Sequence, residues 1–455
     1  MITSSVNAYT ANGPLRVHPT NPRYFTDDSG NVIYLTGSHV WNNLIDMGKD
    51  DPPKPLNFNA YLDFLQRYGH NFIRLWAWDS VIWDTQANGS ILRKNFIHNV
   101  APQPWVRTGP GNALDGKPKF DLTKFNPAYF KRLRERIIDA GERGIYVSVM
   151  LFEGWGLYHA NQGRQSPEGW AWRSHPFHPD NNINGIGADL EVEGARPRVH
   201  TLANPEATAI QEAYIKKVVD TVNDLNSVIY EVINEGGDRD WDWWVVNTIH
   251  TYEKTKPKQH PVGLTGHGAE RLPSMLASSA DWISPGRADG YAEDPPAWDG
   301  EKVSLIDTDH VWGVGGNHLW VWKSFTRGHN PLFMDPYDGE ILGTPFDPKY
   351  ELLRLNLGYS LRYAKKMDLA KMTPRNDLAS TQYCLANPGK EYLIYLPDGN
   401  KVTVDLSGQP GPFVVEWFNT RTGTEIDGGI STGNDKLKFT APFDGDAILY
   451  LFLRR

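Results

Sequence analysis

Six carboxylates stand where short apolar runs of this chain give way to loops. They are Asp79 after residues 72–78, Glu153 after 145–152, Glu235 after 228–233, Asp307 and Asp309 after 303–306, and Asp335 after 331–334. Two carboxylates facing one hollow do complementary work. One, kept protonated, gives its proton to a departing oxygen; the other, ionised, attacks carbon or activates water. Cleavage of an acetal, such as a glycosidic bond, needs both roles at once. These six residues lie as much as 256 positions apart (335 − 79), so the chemistry depends on elements that bring the ends of separate strands together.

The elements that would do so are visible as a change of period along the chain. Apolar runs at 32–36, 72–78, 145–152, 228–233, 261–265, 281–285, 303–306 and 331–334 read as strands. Between them, residues 59–68, 126–143, 204–225, 241–253, 318–327 and 350–366 carry the 3.6-residue pattern of amphipathic helices. Asn126-Pro127 and Asn204-Pro205 each supply a capping amide followed by a proline whose missing N–H is harmless in a first turn. Eight strands alternating with helices predict a (β/α)8 TIM barrel, in which catalytic groups gather at the C-terminal ends of the strands.

Two long segments, 77–119 and 157–200, are rich in Trp, Asn, Gly and Pro and are expected to be substrate-facing loops. A hairpin is expected at the start, 23–26 against 31–36, around Asp27-Asp28-Ser29-Gly30. Past 371–377 the helices stop. Short runs at 391–396, 401–406, 413–418, 436–440 and 447–453, separated by turns, predict a small all-β sandwich. The expected organisation is a catalytic barrel with its hairpin over 1–370 and a β-sandwich over 375–455.

Three motifs carry a resemblance. Val228-Ile229-Tyr230-Glu231-Val232-Ile233-Asn234-Glu235 is a buried strand ending in Asn-Glu. Asn71-Phe72-Ile73-Arg74-Leu75-Trp76 places an arginine inside an apolar strand, where it needs a carboxylate partner. Ser304-Leu305-Ile306-Asp307-Thr308-Asp309-His310 ends the seventh strand in acid. Together these resemble the fourth, second and seventh strands of the clan A glycoside hydrolases. With the tail, Val415-Glu416-Trp417-Phe418-Asn419-Thr420-Arg421-Thr422-Gly423 included, the chain resembles the apiosidase-like branch that carries a C-terminal domain of collagen-binding type. The resemblance implies Glu235 as acid/base, Asn234 as the neighbour that holds a sugar hydroxyl, Arg74 as the group orienting the nucleophile, and Asp307 as that nucleophile. Asp307 departs from the clan, which has Glu there. Asp309 is therefore an alternative second carboxylate, as is an inverting enzyme that uses Asp307 or Asp309 as general base. Glu231, on the same strand face, is expected deeper, as a structural hydrogen-bonding group.

Around these, His39, Trp41, Trp78, Glu153, Trp155, Asp309, His310, Asp335 and Tyr337 are expected to line a sugar pocket, with Asn42, Trp76, Asp79, His267 and Trp312 close by. The aromatic content, with 17 Trp and 20 Tyr, suits rings that stack on sugar faces. Asp307-Thr308-Asp309-His310 also raises a metal reading, but the spacing fits no known ligand loop, and no metal or other cofactor is expected.

Bulk properties exclude several classes. A net charge of −8 with no basic run gives no footing for nucleic acid. No apolar run is long enough for a membrane span. The single cysteine, Cys384, rules out an intrachain disulfide. The first residues show no secretory signal, so the default expectation is cytoplasmic; the oligomeric state is not legible. The expected activity is hydrolysis of O-glycosyl bonds in a plant or microbial glycan, exo-acting because the long loops would wall the pocket. The rival readings are a catalytically inactive, carbohydrate-binding barrel and an adhesion role for the terminal domain.

Overall fold

In the computed structural model, which describes residues 11–84, 97–160, 167–187, 197–266, 271–337, 341 and 346–453, eight parallel strands form the centre. They are β1 (Gly37–His39), β2 (Phe72–Leu75), β3 (Tyr146–Glu153), β4 (Val228–Asn234), β5 (Val262–Thr265), β6 (Trp282–Ser284), β7 (Val303–Asp307) and β8 (Asn330–Met334). Each strand from β2 to β8 pairs with its neighbour in sequence, and β8 pairs with β1. Every residue of β3, β4 and β7 is buried, the pattern of a parallel sheet covered on both faces. The seam between β1 and β2 is bridged at its base, where Asn71 N donates to Thr36 O (3.0 Å) and Thr36 N donates to Asn71 Oδ1 (2.9 Å). The strands come very close here: a Cβ on Gly37 would stand 2.2 Å from Phe72 O, so only glycine fits.

The outer helices begin as their caps predict. Asn126 Oδ1 accepts from Ala128 N ahead of the helix Pro127–Gly141, and Asn204 Oδ1 accepts from Ala207 N ahead of α1 (Pro205–Val222). Asp238 caps α2 (Arg239–Glu253) through Trp241 N. The buried stripe of α1, Tyr214, Ile215, Val218, Val219 and Val222, packs toward the barrel.

Two expectations change. Residues Val32–Ile33 do not enter the barrel. They pair with Phe25–Thr26 in a small N-terminal ribbon that also holds Arg16–Val17, and the first barrel strand is the three-residue Gly37–His39. The physical cause is local: Leu35 N and the Thr36 hydroxyl bond Asn330 Oδ1 and Pro331 O, which turns the chain before the barrel starts. The described parts of segment 77–119 are not open loop. Trp105–Asn112 pairs with Pro118–Phe125, and Ile97–Ala101 pairs with both Asp46–Gly48 and Ile82–Asp84, so the wall above β2 is itself β-structure.

From Thr373 onward the chain is antiparallel, with a six-stranded sheet facing the two-stranded pair Lys401–Asp405 and Lys436–Thr440. The sheet's other face lies on the barrel: Tyr395, Phe418 and Tyr450 share one core with Trp322 and Tyr363 of the helices His318–Thr326 and Glu351–Lys366. Polar ties reinforce it, including Asn356 Nδ2 to Thr420 O (2.9 Å) and His318 Nε2 to Asp446 Oδ1 (3.1 Å). The fold is thus a TIM barrel with a C-terminal β-sandwich packed against it. No helix among the described residues is long and apolar enough to cross a membrane.

Candidate active site

Arg74, on β2, is the hub of the barrel mouth. Its Nε donates to Glu231 Oε2 (2.9 Å), its Nη2 to Glu231 Oε1 and to Asn234 Oδ1 (2.8 Å), and its Nη1 to Asp307 Oδ2 (3.0 Å) and Asp309 Oδ2 (3.2 Å). The guanidinium lies over the Trp76 ring, 4.8 Å from its centroid. β2, β4 and β7 thus deliver one cation and two carboxylates, Glu231 and Asp307, to a single point. Glu235 and Asp309 extend the cluster outward.

Asp307 is fully engaged. Oδ2 takes hydrogen bonds from Arg74 and from His39 Nε2 (2.7 Å), and Oδ1 caps the short helix Thr308–Val311 by accepting from Asp309 N (3.0 Å). The His39 tautomer follows from its other side: the Trp76 indole N–H can only donate, and it donates to His39 Nδ1 (2.9 Å), so the ring proton sits on Nε2. Burial would lift the Asp307 carboxyl, but His39 and Arg74 beside it outweigh burial and hold it well below the usual carboxylate range.

Asp309 and Glu235 differ from it. Both retain 8 % exposure, while Glu231, Asn234 and Asp307 have none. Their carboxylate oxygens lie within 4.8 Å of each other and of a His310 ring nitrogen. Burial pushes Asp309 up to about 6, with Arg74 restraining the rise and Asp307 adding to it. Burial raises Glu235 well above its ordinary value, Asp309 raises it further, and Arg74 only partly offsets them. A direct bond to Arg74 favours the ionised form of Asp309, so the shared proton belongs on Glu235. Glu235 is also held in the left-handed region, at φ 49, which turns its side chain off the strand end. The turn needs room: a Cβ on Gly154 would come 2.6 Å from Gly236 Cα.

Asn234 Oδ1 accepts from Arg74 and from His310 Nε2 (2.9 Å), and His310 Nδ1 accepts from the Ser284 hydroxyl (2.9 Å). His310 therefore presents an N–H to the cluster. Although Glu235, Asp309 and His310 are close enough to hold a cation, the Nε2 lone pair that a metal would need is occupied by that proton. The amide nitrogen of Asn234 is buried and has no partner among the described residues.

The remaining expected residues fall into three groups. Trp41, Trp78 and Trp155 are buried against one another and against Trp76 and Trp83, with Trp41 and Trp155 at 4.9 Å between ring centres, so they form the wall behind the site and not an open stacking surface. Glu153 lies beneath Glu235, with Oε1 accepting from Gly156 N (2.8 Å); burial, Asp79 and Glu235 raise it well above its ordinary value. Asp335 is locked to Arg354 by two bonds (2.8 and 2.6 Å), and Tyr337 packs among Tyr61, Phe64 and Phe346, so neither joins the Arg74 cluster. His267 lies outside the described residues. A cavity of about 540 Å³ opens beside Glu235, lined by Tyr158, His159, Arg198, Asp238 and Arg271 among others. None of those five neighbours was singled out from sequence, because their types and spacing carry no signal until the loops fold.

With this geometry in view, comparison with known proteins gives the following. Residues 98–269 match the family model of a domain of unknown function, DUF6298. Residues 371–451 match the family model described as "Putative collagen-binding domain of a collagenase". No curated protein matches the sequence. Among solved structures, a protein described as a glycoside hydrolase superimposes with TM-score 0.61 at 14% identity, covering 98% of this chain and 99% of that one. A glycoside hydrolase family 5 protein from Bacteroides vulgatus ATCC 8482 gives 0.60 at 14%, over 98% and 95% of the two chains. The likeness is one of fold. It extends through barrel and β-sandwich alike.

Proposed function

We propose that this protein is a retaining glycoside hydrolase in which Glu235 is the acid/base and Asp309 the nucleophile. The observation that carries the reading is the approach of one oxygen from each of these carboxylates within 4.8 Å, with Asp309 bonded to Arg74 and Glu235 raised by burial. Retaining pairs stand about 5–5.5 Å apart and inverting pairs about 6.5–9.5 Å, with a water between them. A closest approach of one oxygen from each carboxylate within 4.8 Å is in keeping with the retaining arrangement. Shared architecture with glycoside hydrolases over almost the whole chain supports the reaction class.

In the first step an Asp309 oxygen attacks the anomeric carbon as the glycosidic C–O bond breaks, and Glu235 gives its proton to the leaving oxygen. In the second, Glu235, now ionised, takes a proton from water, whose oxygen displaces Asp309 from the anomeric carbon. Both carboxyls return to their starting state. Asp307 and His39 hold Arg74 and the Thr308–Val311 turn in place, so Asp307 acts as a positioning residue. Asn234, with its unpartnered amide N–H, is the group for a sugar hydroxyl. The walls above β2 and β3 favour exo action on a chain end. In this reading residues 1–370 form the catalytic unit and 375–455 a β unit that braces it.

The test is a screen of aryl pyranosides and furanosides, with NMR of the first-formed anomer of any product. Hydrolysis with retained configuration is expected; inverted product removes Asp309 as nucleophile. Absence of hydrolysis across the screen, by wild-type protein with a native circular dichroism spectrum, counts against the enzyme reading itself.

A further inference from the structure

Glu235 sits on a turn that its own backbone does not favour. Glu235 is at φ 49 and Gly237 at φ 73, with Gly236 between them. A residue that carries a side chain keeps such a backbone only where its surroundings impose it. Two of the restraints come from close packing and from a backbone bond. Gly236 lies against Gly154 and Tyr158: a Cβ on it would stand 3.0 Å from Gly154 Cα and 3.2 Å from Tyr158 Cε2. Asp238 N donates to His200 O (3.2 Å) and closes the far end of the turn.

The third restraint is one side chain. Arg271 Nη2 donates to Gly236 O (2.8 Å), and its Nη1 stands 3.5 Å from Gly237 O. Among the described residues no other donor reaches either carbonyl. Arg271 is itself anchored. Its Nη1 lies 2.8 Å from Oδ2 of Asp242, a buried residue in the first turn of α2. Burial strengthens the pair, since little water screens it. Asp242 shapes the turn as well: a Cβ on Gly237 would come 2.2 Å from Asp242 Oδ1, so only glycine fits there. A planar guanidinium can hold a carbonyl and a carboxylate at once through its separate N–H groups, whereas an ammonium is a compact point charge.

We propose that Arg271 is a positioning residue for the catalytic acid, holding the Glu235-Gly236-Gly237 turn so that the Glu235 carboxyl meets the leaving oxygen. The inference rests on Glu235 as the acid and adds the groups that aim it, Arg271 and its anchor Asp242. Arg271 acts through the acid and not through the sugar, so its importance follows how far the leaving group depends on a proton. A weakly basic phenolate departs almost unaided; a strongly basic one does not.

The test is kcat/KM of Arg271→Met on the phenyl and 2,4-dinitrophenyl forms of the glycoside that the wild type hydrolyses. A loss of about 10² is expected on the phenyl glycoside, the order that misplacing a reacting group gives. The loss on the dinitrophenyl glycoside is expected to be smaller by at least about tenfold. In the Glu235→Gln background the same substitution is expected to add less than about threefold on the phenyl glycoside, because both changes remove one contribution. Arg271→Met leaves Asp242 without its counter-charge, which lowers the folded yield. Arg271→Lys keeps the charge and loses the fork; it is expected to lose about tenfold on the phenyl glycoside, with the same dependence on the leaving group. Equal losses on the two glycosides, or losses that multiply with that of Glu235→Gln, overturn the proposal. The two readings separate cleanly. If Glu235→Gln shows the leaving-group dependence and the Arg271 variants do not, the acid stands and the positioning role is lost. If Glu235→Gln shows none, or the wild type hydrolyses no glycoside, the acid assignment fails and this inference fails with it.

Discussion

Two buried arginines stand at the same end of the barrel and are used in opposite ways. Arg354 meets one carboxylate, Asp335, through two hydrogen bonds, and both side chains are almost completely buried. Charge is balanced, every carboxylate oxygen has a donor, and nothing is left to react. Arg74 is as buried but is bonded to Glu231, Asp307 and Asp309, with Glu235 next to them. One positive charge cannot neutralise four carboxylates in a low-dielectric space, so the surplus is relieved by retaining protons. A balanced pair secures the fold; an overloaded one creates an acid and a base of different strength side by side, which is what acetal hydrolysis requires.

Substitutions at the two centres separate these roles. The largest expected effect is on turnover: Asp309→Asn lowers kcat/KM on an aryl glycoside by at least about 10⁴, the scale of removing a nucleophile that acts as part of a unit. Its thermal stability is expected to equal or exceed that of the wild type, because one excess negative charge is gone. Glu235→Gln follows, with a loss of about 10²–10⁴ that shrinks for leaving groups needing no proton. The pH profile of kcat/KM reports both groups. Activity rises as Asp309, pushed up to about 6, loses its proton, and falls as Glu235 loses its own. Glu235→Gln is expected to remove the alkaline fall and keep the acid rise.

At the balanced centre the ranking reverses. Asp335→Asn leaves Arg354 buried without its counter-charge and is expected to cost about 3–5 kcal/mol in chemical denaturation. The kcat of the folded fraction falls by less than tenfold. A loss of turnover larger than this would bring Asp335 into the reacting cluster and break the contrast. The smallest effect belongs to Glu153, whose carboxyl is raised by burial, then by Asp79 and Glu235. A group raised in the folded state contributes stability that is full below its unfolded value, about 4.3, and is lost as pH climbs toward the folded one. Glu153→Gln keeps the bond to Gly156 N and no longer ionises. Its Tm is expected to match wild type near pH 4 and to exceed it by about 2 °C at pH 8.

What could be read from the chain and what could not divides along the same physical line. The strand ending in Asn234-Glu235 and the arginine within β2 are local patterns, so the barrel, its order and the need of Arg74 for a carboxylate were accessible from sequence, while its pairing with Asp307 was implied by the resemblance to clan A. The difference between Asp307 and Asp309 was not. It depends on Asp307 turning back to cap the helix that carries Asp309, and on His39, 268 residues away, closing its remaining oxygen. The burial of Trp41, Trp78 and Trp155 was equally out of reach, because an indole that stacks on sugar and one that stacks on another indole have the same sequence signature. The strands within 77–119 were missed because their turns are rich in Gly and Pro, and because Phe120 joins residues 181–183 far along the chain.

In the proposed chemistry Asp309, rather than Asp307, is the carboxylate that meets the sugar. The most direct test is peptide mapping by mass spectrometry after inactivation with the 2-deoxy-2-fluoro glycosyl fluoride matching the aryl glycoside that the protein hydrolyses. A glycosyl adduct on Asp309 is expected. An adduct on Asp307 or on Glu235 would contradict it.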